Sequence, residues 1–381
     1  MADQSYLQWP FLAEEHRTLA RDLRKWCGGH IKADHPHDVD AACRALARSL
    51  GQSGWLKAAT GSGKKPSVRS LCISRESLAY HSGLADFVFA MQGLGSVPIS
   101  LFGSDALKKK WLNKVGEGSA ISAFAISEPD AGSDIAAMKT TARRDADAFI
   151  IDGTKTWISN AGIADFYVTF CRFPEAGEKG YIALLVESNT PGLHVSERIN
   201  VIAPHPLGTL EYKNCRVPAA NLIGQAGAGL KIALASLDLL RSTVAAAALG
   251  FARRALDEAV SFATQRQAFG KSLSDFQMTQ AKLADMALAI DASALLVYRA
   301  AWAYDTGAER VTREAAMAKL HATESAQRVI DEAVQILGGR GVVSGAVVEQ
   351  LYREIRALRI YEGTSEIQKL VIASQVLKQN A

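Results

Sequence analysis

The sequence predicts an α+β fold in three zones: a helical N-terminal domain, a middle β domain and a C-terminal helical bundle. Two changes of hydrophobic period point to it. Up to about Glu117, and again from about Leu230, apolar residues recur at the spacing of one helix face; from about Ile121 to Pro218 they fall in short runs with a period of two. The last zone is also rich in alanine, and small residues such as those at 245–248 let helices approach closely, as in a bundle. The zones divide the chain into residues 1–120, 121–222 and 223–381.

Residues 16–23 and 40–50 each open an amphipathic helix. The segment Thr60-Gly61-Ser62-Gly63-Lys64-Lys65-Pro66 resembles a phosphate-binding loop at a glance. It fails on inspection, because Ala58 replaces the first glycine, Lys65 replaces the Ser or Thr, and no strand precedes it; it reads as a flexible surface loop. In the middle zone residues 149–153, 166–170, 181–186 and 193–195 are strand-like, with turns at Asp152-Gly153-Thr154 and Pro191-Gly192. Beyond them, 230–263, 276–304, 311–337 and 365–379 are long helical stretches. Parts of 287–303 are so poor in polar residues that burial on more than one side is expected, at a subunit interface.

Bulk properties exclude several classes. A chain of 381 residues, 48% hydrophobic and 22% charged, can bury a large core. Its net charge of +4 argues against a dedicated nucleic-acid binder, and Lys108-Lys109-Lys110 reads as a solvated helix face. The five cysteines have no paired or metal-like spacing and read as reduced thiols. The start, Met-Ala-Asp-Gln-Ser-Tyr, lacks a signal-peptide pattern, and no uncharged apolar stretch reaches the ~20 residues of a membrane span, so a cytoplasmic protein is expected.

Five segments carry chemistry. Ile360-Tyr361-Glu362-Gly363-Thr364-Ser365-Glu366-Ile367-Gln368 sets a carboxylate, Glu362, in apolar and aromatic surroundings where one helical segment ends and the next begins. Desolvation would raise its pKa and make it a base near neutrality, while Arg356 and Arg359, within two turns, would pull the other way. Taken alone, the segment reads as a helix cap with an incidental acid; four other segments, far apart in the chain, fit the first reading. Residues 125–134, Ala-Ile-Ser-Glu-Pro-Asp-Ala-Gly-Ser-Asp, offer free backbone N–H groups and hydroxyls to a polar ring or phosphate, or simply form a turn. Lys155-Thr156-Trp157-Ile158-Ser159-Asn160 is a strand whose alternation puts Trp157 and Ser159 on one face, suited to a flat heteroaromatic ligand unless Trp157 is core. In Arg266-Gln267-Ala268-Phe269-Gly270-Lys271, with Gln277 just beyond, the arginine could pair with a pyrophosphate and the ring stack on an adenine; otherwise it is a helix end. Gln335-Ile336-Leu337-Gly338-Gly339-Arg340-Gly341 is a second helix end, open to close backbone approach.

In their order along the chain the five segments resemble those of the acyl-CoA dehydrogenase family of flavoproteins, from roughly Gly95 to the C-terminus. The resemblance implies a helical N-domain, a middle β barrel and a C-terminal four-helix bundle, assembled as a homotetramer of two dimers, with FAD as cofactor. It implies that Phe124, Ile126, Ser127, Gly132, Ser133, Trp157 and Ser159 line the flavin, with Ser159 near N5. Arg266, Phe269, Gln277, Gln335, Gly338 and Gly339 would serve the adenine side of a neighbouring subunit's FAD, and Thr364 and Glu366 would complete the flavin pocket. Asp238, Arg241, Ser133 and Gly363 would meet the acyl-CoA substrate.

The implied chemistry is dehydrogenation of an acyl-CoA thioester to the trans-2-enoyl-CoA. Glu362 takes the α proton, its own backbone N–H and a ribityl hydroxyl hold the enolate oxygen, and the β hydrogen leaves as hydride to flavin N5. An electron-transfer flavoprotein would accept the electrons. An oxidase or other dioxygen-using flavoenzyme of the same fold, a dehydrogenase of carrier-protein thioesters and a flavin-free scaffold are the alternatives. Three departures bear on the acyl group: the 57–64 segment replaces a Pro-Glu-Glu-Tyr-Gly-Gly-like turn, Ala203-Pro204-His205-Pro206-Leu207 replaces a stretch with an arginine and small hydroxyl residues, and Gly345-Ala346 replaces an acid and an aromatic. His205 reads as a surface residue or a substrate contact.

Overall fold

The computed structural model describes residues 3–31, 36–61, 66–178 and 180–378. Six helices come first: α1 (Glu14–His30), α2 (Val39–Gln52), α3 (Leu56–Thr60), α4 (Val68–His81), α5 (Gly83–Phe102) and α6 (Asp105–Gly116). Seven strands follow: β1 (Ser122–Ala125), β2 (Thr141–Asp145), β3 (Ala148–Ser159), β4 (Phe166–Arg172), β5 (Tyr181–Glu187), β6 (Leu193–Arg198) and β7 (Leu207–Pro218). Then come α7 (Gly229–Gln265), the small hairpin β8 (Gln267–Ala268) and β9 (Lys271–Ser272), α8 (Gln277–Asp305), α9 (Thr312–Leu337), α10 (Val347–Leu358) and α11 (Ser365–Lys378). The order of helices, strands and helices is the one the periodicity predicts. Ser62 to Lys65 of the loop read as flexible, and Gln379, lie outside the described residues.

Helix starts follow local chemistry. Asp38, Ser67 and Ser104 accept the N–H of Ala41, Ser70 and Leu107 at 2.9, 3.3 and 3.3 Å, each satisfying one of the free donors that begin a helix. The expected solvated face of 108–110 lies on α6, where Lys110 pairs with Glu187 at 2.7 Å.

The chain forms two compact units, neither continuous in sequence: Met1–His35 with Ser67–Asp86 and Asp238–Ala381, and Pro36–Pro66 with Phe87–Leu237. In the first, a buried polar cluster organises the helices around Glu76 of α4. Its Oε1 accepts from the Tyr6 hydroxyl at 2.6 Å and pairs with Arg24 at 3.2 Å and Arg253 at 3.0 Å, and its Oε2 accepts from the Tyr298 hydroxyl at 2.5 Å.

The second unit holds a seven-stranded sheet in the order β1-β4-β2-β3-β7-β6, with β5 on the other side of β4. β1 and β4 run parallel and β3, β7 and β6 antiparallel. Its core gathers Trp111 and Leu112 of α6 with Phe124, Phe166 and Phe170. Asp152-Gly153-Thr154 is not a turn: β3 runs through it with a bulge, because Gly153, at φ 144°, lies flat on Thr140, where a Cβ would come within 2.6 Å of Oγ1. Strands β2 and β7 escape the alternation rule, since β7 begins fully buried and β2 is mostly exposed. His205 is half-buried; its ring packs on Phe87 at 4.4 Å and Nδ1 lies 3.0 Å from the Ala203 carbonyl, with burial holding its pKa down.

Two helices, α5 and α7, are long and apolar enough to cross a membrane by length and composition, but charges such as Asp86 and Arg241 interrupt them, so neither is an uncharged apolar stretch of ~20 residues. Burial inside the protein of 72% and 78% of their apolar windows accounts for that composition as core. All five cysteines are free and buried, and burial pushes the thiols of Cys27, Cys43, Cys171 and Cys215 up to about 12 and that of Cys72 further up.

Candidate active site

Glu362 occupies the reversal between α10 and α11. The N–H groups of Ile360 and Tyr361 both return to the Ala357 carbonyl, at 2.9 and 3.1 Å, and the chain then turns through two left-handed residues, Glu362 at φ 53° and Gly363 at φ 91°. Glycine suits position 363 because its φ strains any residue with a side chain, and a Cβ there would also lie 2.6 Å from Gln368 Nε2. A left-handed glutamate costs about 1–3 kcal/mol and persists only where its surroundings impose it. Here α9 imposes it. Glu324 accepts from Arg359 Nε at 2.9 Å before the turn and from Ser365 Oγ at 2.5 Å after it. Arg359 is thus engaged with Glu324, and the cations that act on Glu362 come from elsewhere.

Those cations are Arg75 of α4, Lys319 of α9 and Arg241 of α7, which favour the charged form of Glu362, while Asp86 of α5 opposes it. Burial outweighs them and holds the Glu362 carboxyl above its ordinary value. Its Oε2 is buried and has no hydrogen-bond partner among the described residues. Arg75 is half-neutralised, with a two-point bond to Asp86 at 2.8 and 2.7 Å and a third to Thr243 Oγ1 at 3.2 Å. Arg241 donates to Asp238 at 2.5 Å, which also accepts from Thr312 at 3.1 Å, and the Arg241 Nε is a buried donor without a partner among the described residues. A fourth carboxyl, Glu354 on α10, packs against Gly83, and burial pushes it up to about 7.

The structure therefore brings Glu362, Gly363 and Arg241 together, with Asp238 held on Arg241. Thr364 caps α11, its Oγ1 accepting the Ile367 N–H at 3.4 Å, and Glu366 is exposed on the first turn. Sequence reasoning missed Arg75, Asp86, Lys319, Glu324 and Gln368. The only signal was charge within apolar runs, as in Ala315-Ala316-Met317-Ala318-Lys319.

In the sheet unit, Trp157 is not core: it is 59% exposed at φ 59°, on a bulge that shifts the β3–β7 register between Lys155 and Ile158. Ile158 is buried, Ser159 half-buried, Ser127 half-buried, and Gly132 and Ser133 exposed. Phe124 and Ile126 have buried side chains, so the strand edge there offers backbone groups. A buried ion pair sets this loop. Lys155 Nζ donates to Glu128 Oε1 at 2.8 Å and to the Ile126 carbonyl at 2.9 Å, and Glu128 also accepts the N–H groups of Lys139 and Thr140 at 2.5 and 3.0 Å.

In the helical unit Arg266, Phe269, Gln277, Gln335, Gly338 and Gly339 are all exposed. Phe269 is 97% exposed at φ 52°, and Arg340 lies 5.9 Å from the Phe262 ring, which carries the glycine turn to the end of α7. A Cβ on Gly339 or Gly132 would meet nothing within 4 Å. In the sheet unit, an exposed strained tryptophan and a glycine with open space beside it fit a flat aromatic ring; in the helical unit, an exposed strained phenylalanine and an open glycine turn fit an aromatic base and a diphosphate.

Models of the N-terminal, middle and C-terminal domains of acyl-CoA dehydrogenases match residues 13–119, 123–215 and 227–377. The likeness thus reaches further toward the N-terminus than the resemblance read from the sequence, which begins near Gly95. The mitochondrial short-chain specific acyl-CoA dehydrogenase of Rattus norvegicus is 44% identical over 284 residues, 74% of this chain and 69% of its own. Cyclohexane-1-carbonyl-CoA dehydrogenase of Geobacter metallireducens is 35% identical over 377 residues, 97% of this chain and 99% of its own. A solved glutaryl-CoA dehydrogenase from Mycobacterium smegmatis in complex with FADH2 has a TM-score of 0.88 at 28% identity, covering 97% of this chain and 96% of that one. Carrying all three domain models over nearly its whole length, the chain belongs to the acyl-CoA dehydrogenase family, oxidoreductases acting on CH–CH groups.

Proposed function

We propose that the chain dehydrogenates an acyl-CoA thioester to its trans-2-enoyl-CoA, with Glu362 as the base that takes the α proton. The observation that carries this reading is the buried, unpartnered Oε2 of Glu362, a lone pair kept from both water and the protein's own donors. The Glu362 N–H donates to no other group among the described residues, which suits a donor reserved for the enolate oxygen. Arg241, with its orphan Nε, is suited to the thioester's polar portion, and Ser133 and Gly363 would also meet substrate.

FAD would be held by Ser127, Gly132, Ser133, Trp157 and Ser159, by backbone at Phe124 and Ile126, and by Thr364 and Glu366, while Arg266, Phe269, Gln277, Gln335, Gly338 and Gly339 would serve the adenine side of a neighbouring subunit's FAD. When bound it supplies the acceptor for the β hydride. The enzyme would act in the cytoplasm as a homotetramer of two dimers and pass its electrons to an electron-transfer flavoprotein. The named relatives act on short-chain, cyclohexane-1-carbonyl and glutaryl thioesters, so the acyl group is found by trial.

Anaerobic titration of the purified protein with straight-chain, branched, cyclic and dicarboxylic acyl-CoA thioesters tests the reading. One class bleaches the flavin, and Glu362→Gln, with flavin bound and fold intact, is reduced about 10²–10⁴-fold more slowly. Reduction of that variant at the wild-type rate would show that Glu362 is not the base.

A further inference from the structure

We infer that Lys319 is a positioning residue for Glu362, its buried ammonium anchoring the Gly363 carbonyl and so fixing the left-handed turn that aims the carboxylate; this rests on Glu362 being the base. The Lys319 side chain is fully buried in the face of α9, and Nζ donates to the Gly363 oxygen at 2.8 Å. Gln368 Nε2 donates to the same oxygen at 2.9 Å and to the Glu362 carbonyl at 3.3 Å. Both lone pairs of the Gly363 carbonyl are therefore held, one from α9 and one from α11.

The choice of lysine is informative. Burying an ammonium is costly, and burial drives Lys319 down to about 8. A neutral amide, Gln368, already bonds the same oxygen, so hydrogen bonding alone does not call for a charge. The charge has a beneficiary in Glu362, whose ionised form it favours. The groups facing Lys319 are Glu362 from the turn, Arg241 from α7, Glu324 on its own helix and Glu366 from α11. Those facing Glu362 are Arg75, Lys319, Arg241 and Asp86. Lys319 thus acts twice, through the backbone as an anchor and through space as a counter-charge.

The test uses the full-length flavin-loaded enzyme and the thioester that bleaches its flavin fastest in the panel above, with anaerobic stopped-flow reduction followed against pH. Lys319→Met is expected to lower the saturated reduction rate by about 10²-fold while half-saturation and flavin content stay near wild type. Its acid limb should move to higher pH, by ~0.5 unit or more, because a cation favouring ionised Glu362 is gone. Lys319→Arg keeps the charge and is expected to restore most of the rate and the wild-type limb. A folded, flavin-loaded Lys319→Met enzyme with wild-type rate and an unmoved limb overturns the inference. So does equal impairment of both variants with the limb in place, which marks a merely structural lysine. Should Lys319→Met not fold, Gln368→Leu carries the test. It removes the second bond to the same carbonyl and keeps the cation, so slower reduction with an unmoved limb is expected, and a wild-type rate overturns the anchoring. Failure of the underlying reading shows separately, as Glu362→Gln reduced at the wild-type rate, and takes this inference with it.

Discussion

Two carboxylates of the same helical unit, Glu76 and Glu362, are treated in opposite ways. Glu76 is 1% exposed, and two tyrosine hydroxyls and two guanidinium groups converge on it. Glu362 has three cations in its field, yet its Oε2 accepts from none of them. The first arrangement uses both carboxylate oxygens to hold helices together. The second keeps one free while the surrounding charges hold its proton affinity within a working range. A buried acid becomes a reagent when the protein withholds donors from it, not when it withholds charge.

The contrast can be broken by exchange of the same mutation. Glu362→Gln should lose turnover by about 10²–10⁴-fold with little change in melting temperature. Glu76→Gln should do the reverse, costing about 3–5 kcal/mol of stability in thermal or denaturant unfolding because two arginines lose their counter-ion, while its folded fraction stays active. If the Glu76 variant were the inactive one, the assignment of roles would be inverted.

A finer prediction concerns the pH profile. With its carboxyl held above the ordinary value, Glu362 acts as a base only above that raised pKa, so reduction should fall as pH drops through an acid limb above 4.5. Asp86→Asn leaves Arg75 without its partner, favours ionised Glu362, and should shift the limb to lower pH, opposite to Lys319→Met. Stability carries a smaller signal. Lys319 titrates near 8 in the folded protein against 10.5 ordinarily, so between these values the unfolded chain binds more protons. Wild type should therefore gain stability relative to Lys319→Met as pH rises across that window, read from paired denaturant curves. The smallest effect expected is that of Lys110→Ala, which breaks an exposed pair with Glu187 and should cost under about 1 kcal/mol.

Much of this was legible in the chain, and the boundary has a physical reason. Helices announce themselves by local period, and the Glu362-Gly363 reversal by a glycine beside an acid at a helix end, so both were visible. Gly153 was misread because glycine marks a turn and a bulge alike, and only Thr140 packing on it decides between them. The packing of the His205 ring on Phe87 was hidden, because nothing local reveals that contact. Arg75, Asp86 and Lys319 reach Glu362 from as far as 287 residues away in sequence (362 minus 75), and nothing near Glu362 names them. Their neighbours Arg356 and Arg359, close in sequence, were the wrong cations for that reason.

The buried thiols have a consequence for handling the molecule. Cys27 and Cys72 lie in one compact unit and Cys43, Cys171 and Cys215 in the other, all closed to solvent and held as protonated thiols. A thiol reagent therefore has no target in the native state and modifies each cysteine only as fast as the packing around it opens. Mass-spectrometric labelling at each position would turn the five sulfurs into separate clocks for the two halves of the chain, timing which half loosens first on heating and which one a bound acyl-CoA slows.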